Sequence, residues 1–391
     1  MIKHSTCKGG QWECVLSEVC PGTCLQYGEG HFRTFDDLSF TFDGSCSYLL
    51  LQDSCSGEGK PQFSVETKNV LCGNPGYTCY RAVQLTVGDA VLQLDGGSYT
   101  ITPPSASDNF TVQDNTLYLV VTVAVPPPPN QLTLIWNKNM NVLIKLIKSS
   151  PVTLCGLCGN FNGKNGDDFT LQNGDLTADT LQFANSWRTD PSCPDAPLLS
   201  STCEINPMRQ AWAQRRCDII KSIVFQPCHD QVYYLPFYEA CVQDGCACST
   251  GGDCECICNA VAVYAKECLD QGVCVDWRTP DFCPVYCDFY ISHKKVESSY
   301  TYIENKTCTW HYQPCLCPFN SLGSPRISNV EGCYKCPSDE YFNEALQRCA
   351  PCGESSCRWP CLGRGFCAVC LYDPAKCVSV RAHSNLLGVS S

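Results

Sequence analysis

The sequence predicts an α+β chain of several small modules: a β-sandwich-like domain, then a small helical module, then disulfide-rich segments. The first observation is the composition, with 36 cysteines among 391 residues. Such a content is typical of proteins whose small cores are stabilised by disulfides. Periodicity is the second. Apolar residues follow strand-like runs as far as about residue 188 and then take helical spacing beyond Cys193.

The β-rich part begins near Gln26 and ends near Arg188. Segments rich in Val, Ile, Leu, Thr and Tyr predict strands at Ser47–Leu51, Phe63–Leu71, Ala82–Leu94, Thr111–Val125 and Leu132–Ile147. The last segment is expected to fold as a hairpin because Asn137–Asn139 interrupts it. Four prolines at 126–129 predict a loop, since proline has no N–H to give to a ladder. The domain is long enough to form a core between two sheets.

Helical spacing appears in two places after Cys193. Two apolar faces are expected, the first built from Trp212, Ile219, Ile220 and Ile223 and the second from Val261, Tyr264, Ala265 and Cys268. Cysteines recur through the same region from Cys203 onward. Short helices clamped by disulfides are therefore expected.

Charge and cysteine content limit the environment and the partners. Dense cysteine usage indicates an oxidising compartment. A formal charge of -12 without a basic run argues against nucleic acid and anionic membrane surfaces as partners. The chain has no apolar run of transmembrane length, and no apolar core precedes Cys7 as in a signal peptide. We expect a fragment of a longer secreted, extracellular protein.

The loop that follows Cys158 is rich in oxygen ligands. Side-chain oxygens occur at Asn160, Asn162, Asp167 and Asp168, and glycines allow the backbone to curl around them. Hard oxygen donors on a flexible turn suit Ca²⁺, although the order differs from that of an EF-hand loop. The alternative from the residues alone is an ordinary Asn/Gly/Asp turn between two elements.

The segment Cys155-Gly-Leu-Cys158, followed by Gly-Asn-Phe-Asn-Gly, resembles the signature of the von Willebrand factor type D domain. The resemblance implies that this loop binds calcium and receives a further ligand from an early aspartate, which the segment Thr34-Phe35-Asp36-Asp37-Leu38 nominates as Asp36. The implied ligands are the carbonyl of Lys164 and the side chains of Asp36, Asn160, Asn162, Asp167 and Asp168. Asn162 departs from relatives, where the position is often Asp.

Further motifs extend the resemblance over nearly the whole chain. The segment from Trp277 to Pro284 resembles the eight-cysteine module that follows D domains, and Glu331-Gly332-Cys333 with Cys336-Pro337 resembles a trypsin-inhibitor-like module. The implied divisions are 1–24, the tail of a preceding cysteine-rich module; 25–195, the type D domain; 200–290, the eight-cysteine helical module; 308–352, the inhibitor-like module; and 353–391, a partial cysteine-rich segment and disordered tail. Together they resemble the third D assembly of a secreted gel-forming mucin.

That resemblance implies a structural glycoprotein module that is stabilised by calcium and joined to copies of itself by disulfides. Cys256 and Cys308 match the cysteines through which such assemblies join a second copy, as a homodimer or multimer. Within Cys254-x-Cys256-x-Cys258, neighbours two residues apart rarely offer disulfide geometry, so each must find its partner elsewhere. Ordinary internal disulfides remain the alternative. Other mucus or matrix glycoproteins are further candidate partners.

Two other chemistries compete for the cysteine pairs. Cys155 and Cys158 could form a redox dithiol, but a strand and a polar loop flank them rather than the helix N-terminus that usually stabilises a thiolate, so structural disulfides are favoured. The pairs Cys333/Cys336 and Cys349/Cys352 have zinc-ribbon spacing, which requires reduced thiolates. An oxidised module is the preferred interpretation.

The remaining motifs concern modification and catalysis. Asn109 and Asn305 begin Asn-x-Thr sequons and are candidate N-glycosylation sites. The sequence contains none of the hydrolase, metalloprotease or phosphate-loop motifs, so no enzyme is expected. His31 follows Gly28-Glu29-Gly30, which lacks the Asp and Pro of self-cleaving D domains. The alternative function is an adhesion or protease-inhibitor protein with a reactive loop between Cys317 and Cys333.

Overall fold

A computed structural model of the chain describes the following residues: 3–8, 11–16, 21–55, 59–71, 78–114, 117–198, 201–248, 253–279, 281–285, 293–296, 299–302, 312–315, 330–333, 340–343, 348–351, 368–370 and 377–379. The chain divides into two compact units. The first contains residues 1–216 and 239–260, and the second contains residues 217–238 and 261–391.

The first unit is dominated by β structure. Its described strands are β1 Lys3–Lys8, β2 Gln11–Leu16, β3 Pro21–Tyr27, β4 His31–Arg33, β5 Ser39–Thr41, β6 Ser47–Gln52, β7 Phe63–Leu71, β8 Thr78–Val87, β9 Ala90–Asp95, β10 Ser98–Thr102, β11 Thr111–Asp114, β12 Leu119–Ala124, β13 Gln131–Trp136 and β14 Val142–Ile147. Strands β1 and β2 form a separate hairpin. The others form a five-stranded sheet in the order β10-β9-β8-β7-β6 and a seven-stranded sheet in the order β11-β12-β13-β14-β3-β4-β5. The strand pairs are antiparallel.

Alternating side chains of both sheets form one hydrophobic core. Along β7, Phe63 and Val65 are fully buried while Glu66 and Lys68 point outward. Leu85 and Leu92 of the same sheet join Leu134 of the other in the core cluster. Each fully buried aliphatic or aromatic side chain contributes about 1.5–3 kcal/mol to folding. Two antiparallel sheets sharing a core agree with the β-sandwich-like prediction.

The strand predictions hold with two refinements. Segment Ala82–Leu94 is a hairpin rather than one strand, since Gly88 adopts a positive φ of 60° at the turn between β8 and β9. Segment Thr111–Val125 is likewise divided into β11 and β12. The hairpin expected at Asn137–Asn139 connects β13 to β14, and prolines 126–129 lie outside the ladders. These two expectations are confirmed.

Helices follow the sheets. They are α1 Thr180–Ser186, α2 Thr202–Ile205, α3 Pro207–Cys217, α4 Gln226–His229, α5 Leu235–Ala247 and α6 Asp253–Asp270. The division between the units falls inside α5 and α6. No helix within the described ranges is long and apolar enough to cross a membrane.

The second unit packs the end of α6 against aromatic residues. Val261, Tyr264 and Cys268 are fully buried, and the ring of Tyr264 lies 5.1 Å from that of Phe225. The helical face predicted here is therefore confirmed. Ile223 departs from the first predicted face, because it lies in a turn beyond the helix and is 81% exposed.

Short strand pairs occur among the described residues beyond residue 292. The described pairs are β15 His293–Val296 with β16 Ser299–Tyr302, β17 Tyr312–Gln313 with β18 Gly332–Cys333, β19 Glu340–Asn343 with β20 Arg348–Pro351, and β21 Ala368–Cys370 with β22 Cys377–Ser379. The inhibitor-like module remains a prediction.

Candidate functional site

The candidate metal loop is fixed to the β domain at its beginning. Cys158 is bonded to Cys24 of β3, and Cys155 is bonded to Cys55 just beyond β6. The backbone N–H of Phe35 donates to the carbonyl of Cys158 over 3.1 Å. The ring of Phe161 then stacks on that of Phe35 at 5.0 Å between centroids. The loop and the segment carrying Asp36 are thereby held side by side.

The structure brings the five predicted side chains into one hydrogen-bonded loop. The carboxylate of Asp36 accepts from the backbone N–H groups of Asn162 at 2.9 Å and Gly163 at 2.8 Å. The amide of Asn162 donates to Oδ2 of Asp167 at 2.8 Å. Asp168 accepts from the backbone N–H of Asn160 at 3.2 Å. Oδ1 of Asn162 accepts from the backbone N–H of Lys164 at 2.8 Å, which places Lys164 in the same loop.

Asp168 is the buried member of this group, with 2% of its surface exposed. The hydroxyl of Thr34 donates to its Oδ2 at 2.6 Å. Burial raises the pKa of Asp168 to about 6, against the opposing effect of its hydrogen bonds to Thr34 and Asn160, and the negative charges of Asp36 and Asp167 raise it further. The carboxylate of Asp168 is therefore repelled by those of Asp36 and Asp167.

The loop presents oxygen atoms to a possible calcium ion. Oδ1 of Asp167 is buried and has no hydrogen-bond partner among the described residues, an arrangement that a cation would satisfy. The donors are oxygens only, as calcium prefers. Among the residues that the structure describes, no group of three Asp, Glu, His or Cys side chains is already arranged to hold a metal ion. The chemistry of the residues fits calcium, and the ligand set stays a prediction.

The Cys155/Cys158 motif is not a paired dithiol. Each sulfur is bonded to a cysteine far away in sequence, Cys55 or Cys24, and both bonds join the loop to the β domain. This arrangement agrees with the structural interpretation. The redox alternative would need both sulfurs to meet each other.

Cys256 is bonded within this single chain to Cys248, with 6.3 Å between the Cα atoms. A bond from Cys256 to a second chain stays a prediction. The bond spans the connection between α5 and α6, which brings the end of one helix close to the first turns of the next. The internal disulfide left open by the sequence is the pairing found. Cys308 lies outside the described residues.

The structure describes some of the other predicted positions and not others. Asn109 lies exposed at the end of a short 3-10 helix, and Thr111 of its sequon is also exposed. Asn305, Cys336, Cys352 and most of the segment between Cys317 and Cys333 lie outside the described residues. The second sequon, the zinc alternative and the inhibitor loop are therefore untested.

Sequence reasoning missed a buried cluster of charged side chains in the first unit. Arg81 is fully buried, and Asp244 of α5 is 1% exposed. Asp244 lies against His31 and the backbone of Glu29. No spacing rule joins residues so far apart in the chain. Only the charge of Arg81, in a strand that is otherwise uncharged, could have indicated this cluster, because arginine is rarely fully buried without a partner.

The second unit contains another buried ion pair, and its parts come from motifs that the sequence displayed separately. Arg278 donates to both carboxylate oxygens of Glu331, at 2.9 and 2.6 Å. The hydroxyl of Tyr312 donates to the same carboxylate at 2.8 Å. The sequence shows each motif, but it does not show that the side chains of these motifs contact one another.

The described residues thus define a class of extensively disulfide-bonded protein. It has a two-sheet β domain, helices clamped by disulfides, and an oxygen-lined loop as the candidate site. A model of the von Willebrand factor type D domain matches residues 24–175, and a model of the C8 domain matches residues 216–284. The chain thus contains a von Willebrand factor type D domain and a C8 domain.

Several mucins are similar in sequence to this chain. Mouse Mucin-6 is 49% identical over 352 residues, which cover 90% of this chain and 12% of the relative. Chicken Mucin-6 is 45% identical over 89% of this chain and 29% of its own length, and human Mucin-2 is 40% identical over 90% of this chain and 7% of its own length. The chain therefore spans a small part of each relative.

Two expectations from the sequence are settled by these matches. The family is structural rather than enzymatic, which confirms that the chain is not an enzyme. The relatives are secreted mucins, and the chain is accordingly extracellular.

Proposed function

We propose that this chain is a structural module of a secreted gel-forming mucin, stabilised by calcium and contributing to disulfide-linked multimers in extracellular mucus. The observation that carries the proposal is the oxygen-lined loop held to the β domain by two disulfides. Similarity to Mucin-6 over most of the chain supports the setting.

The calcium ion would be held by Asp36, Asn160, Asn162, Asp167, Asp168 and the carbonyl of Lys164. Its chemical contribution is to neutralise the carboxylates and to replace the hydrogen bonds that now close the loop. Asp167 Oδ1, which has no partner among the described residues, gains one. The loop then stabilises the junction of Cys24–Cys158 with the segment that carries Asp36.

Calorimetric titration of the secreted, oxidised chain with Ca²⁺ tests this part of the proposal. Asp167→Asn preserves the shape of the side chain and removes one charge, so we expect at least a tenfold loss of affinity, about 1.4 kcal/mol. Asp175→Asn is the matched control, because Asp175 is exposed in the next turn of the chain. Equal affinity in the parent and Asp167→Asn would rule the site out.

Covalent assembly is tested separately. We expect a disulfide-linked dimer of the parent on a non-reducing gel and its loss when Cys256 and Cys308 are both replaced by Ser. A symmetric pair of chains can close such a bond without forming an open-ended fibre. A parent that remains monomeric at all concentrations would contradict assembly through this part of the mucin, whatever the calcium result.

A further inference from the structure

Three Asn-Gly pairs lie in or just after the candidate metal loop, namely Asn162-Gly163, Asn165-Gly166 and Asn173-Gly174. An asparagine that precedes glycine is chemically labile, because the backbone nitrogen of the glycine can attack the side-chain amide and glycine has no Cβ to hinder the approach. The contacts around each pair therefore decide which asparagine reacts.

The backbone nitrogen of Gly163 is hydrogen-bonded to a carboxylate. Its N–H donates to Oδ1 of Asp36 at 2.8 Å, while the N–H of Asn162 donates to Oδ2 of the same residue at 2.9 Å. The neighbouring residue Phe35 holds Asp36 in place, since its N–H donates to the carbonyl of Cys158 at 3.1 Å. A carboxylate at this distance from an N–H group meets the geometric requirement for a general base.

The side chain of Asn162 is folded back over the backbone that follows it. Its Oδ1 accepts from the N–H of Lys164 at 2.8 Å, which is the contact of an Asx turn. A donor on this oxygen also stabilises the negative charge that develops there when a nucleophile attacks the amide carbon. Its Nδ2 donates to Oδ2 of Asp167 at 2.8 Å. Both ends of the amide are therefore oriented before the reaction.

Asn173-Gly174 has the same kind of turn but a different acceptor for the glycine N–H. Oδ1 of Asn173 accepts from the N–H of Asp175 at 3.0 Å, and its Nδ2 donates to Oδ2 of Asp175 at 2.8 Å. Asn173 and Gly174 are exposed, as are the two residues of the first pair. The N–H of Gly174, however, donates to the carbonyl of Leu171 at 2.9 Å. A neutral carbonyl is not a general base, so this pair is an internal comparison for the first.

Asn165-Gly166 differs from both of the other pairs. It begins the 3-10 helix Asn165–Asp167, and the N–H of Asp168 donates to the carbonyl of Asn165 at 3.4 Å. Side chains on a helix tilt toward its N-terminus, which carries the amide of Asn165 away from the N–H of Gly166. We therefore expect this pair to react slowly.

We propose that Asn162 is a site of spontaneous deamidation and that Asp36 promotes the reaction as a general base. The carboxylate takes the proton from the backbone nitrogen of Gly163, and that nitrogen forms a bond to Cγ of Asn162. The bond between Cγ and Nδ2 breaks, and Nδ2 takes up the proton and leaves as ammonia. Water then opens the resulting succinimide at either carbonyl, which gives aspartate or isoaspartate at position 162.

The product changes the charge of the candidate metal loop. A carboxylate at position 162 can no longer donate to Asp167, and the two like charges then repel each other. The metal-free loop is thereby loosened, whereas a bound cation would gain one more charged ligand. The effect on calcium rests on the proposed function, but the deamidation itself does not.

Ageing of the intact oxidised chain at neutral pH with a chelator present, followed by proteolysis and mass spectrometry, tests the proposal. Fragmentation of the peptides assigns the gain in mass to position 162, 165 or 173. In the folded chain we expect Asn162 to deamidate about tenfold faster than Asn173, or more. In the reduced and denatured chain the two rates should be similar, because no fixed carboxylate remains beside either glycine.

Two variants separate the general base from the flexibility of the loop. Asp36→Asn keeps an oxygen that can accept the N–H of Gly163 but cannot take its proton, so the ratio of the two rates should fall about tenfold. Asp37→Asn is the matched control and should leave the ratio unchanged. Asp37 is the adjacent exposed carboxylate, and it lies 3.7 Å from Arg33 on its other side.

Equal rates at Asn162 and Asn173 in the folded parent would overturn the proposal. An undiminished ratio in Asp36→Asn would overturn it as well. Should Asp36→Asn not be secreted, the comparison of the folded with the denatured parent still decides. Because the chelator removes calcium throughout, failure of this inference is distinct from failure of the calcium titration.

Discussion

Replacing Arg278 by Met should cause a large local loss of stability in the second unit. The guanidinium makes two bonds to Glu331, at 2.9 and 2.6 Å, and one to the carbonyl of Cys283 at 3.0 Å. The side chains of Arg278 and Glu331 are only 9% and 7% exposed. Met keeps most of the volume but removes the positive charge beside the buried carboxylate of Glu331.

The size of the stability loss depends on which charged groups stay buried after their ion-pair partner is removed. Removing one member of a buried ion pair costs about 3–5 kcal/mol, because the other charge stays desolvated. Changing both members to apolar residues of similar volume, Arg278→Met with Glu331→Leu, strands neither charge and should recover most of that loss. Tyr312→Phe removes one hydrogen bond to a charged acceptor and should cost about 1.5–3 kcal/mol.

Hydrogen exchange at β17 and β18 is the appropriate assay, since several modules need not unfold together. Lys60→Met is the control, because Lys60 and its partner Asp89 form a largely exposed pair in the other unit and should leave this region unchanged. A single-variant loss below about 1 kcal/mol would refute the reasoning. Additive losses in the double variant would refute it equally, because coupling is what the buried geometry requires.

Three further outcomes follow from the structure. Alkylation of the unreduced chain before mass spectrometry should label neither Cys155 nor Cys158, whereas rapid labelling of both would contradict the pairing with Cys55 and Cys24. Asn109→Gln should abolish one deglycosidase-sensitive mass step, because the sequon is exposed at both ends; an unchanged step would show that the site is unused. Asp179→Ala should destabilise α1 by about 1 kcal/mol, since Asp179 caps the N–H groups of Leu181 and Gln182; unchanged exchange in α1 would contradict the capping role.

Local patterns predicted the β domain well because strands bury every second residue. The alternation along Phe63–Leu71 reappears as a strand with the same bounds. Segment Ala82–Leu94 was harder, because its apolar run continues through the turn at Gly88 and conceals the break between β8 and β9. The error at Ile223 arose in the same way, since periodicity was extended past the end of a helix.

The candidate metal loop was predictable because its residues are close together in the chain and match a motif. Asp36, more than a hundred residues away, came only from the resemblance, yet its carboxylate lies on the amides of Asn162 and Gly163. The buried charged side chains of the first unit had neither advantage. Glu29, Arg81 and Asp244 carry no shared motif, and their interaction exists only after two sheets and a helix have packed.

Cys256 shows how little a local geometric rule says about the partner of a cysteine. Cysteines two residues apart rarely pair, so the cysteine run at 254–258 had to find partners elsewhere. The rule does not say how far away that partner must be. Here α5 ends at Ala247 and α6 begins at Asp253, and the short connection returns the chain so that Cys248 meets Cys256 with 6.3 Å between Cα atoms. The pairing within one chain depends on where the two helices end, and the link from Cys256 to a second chain stays a prediction.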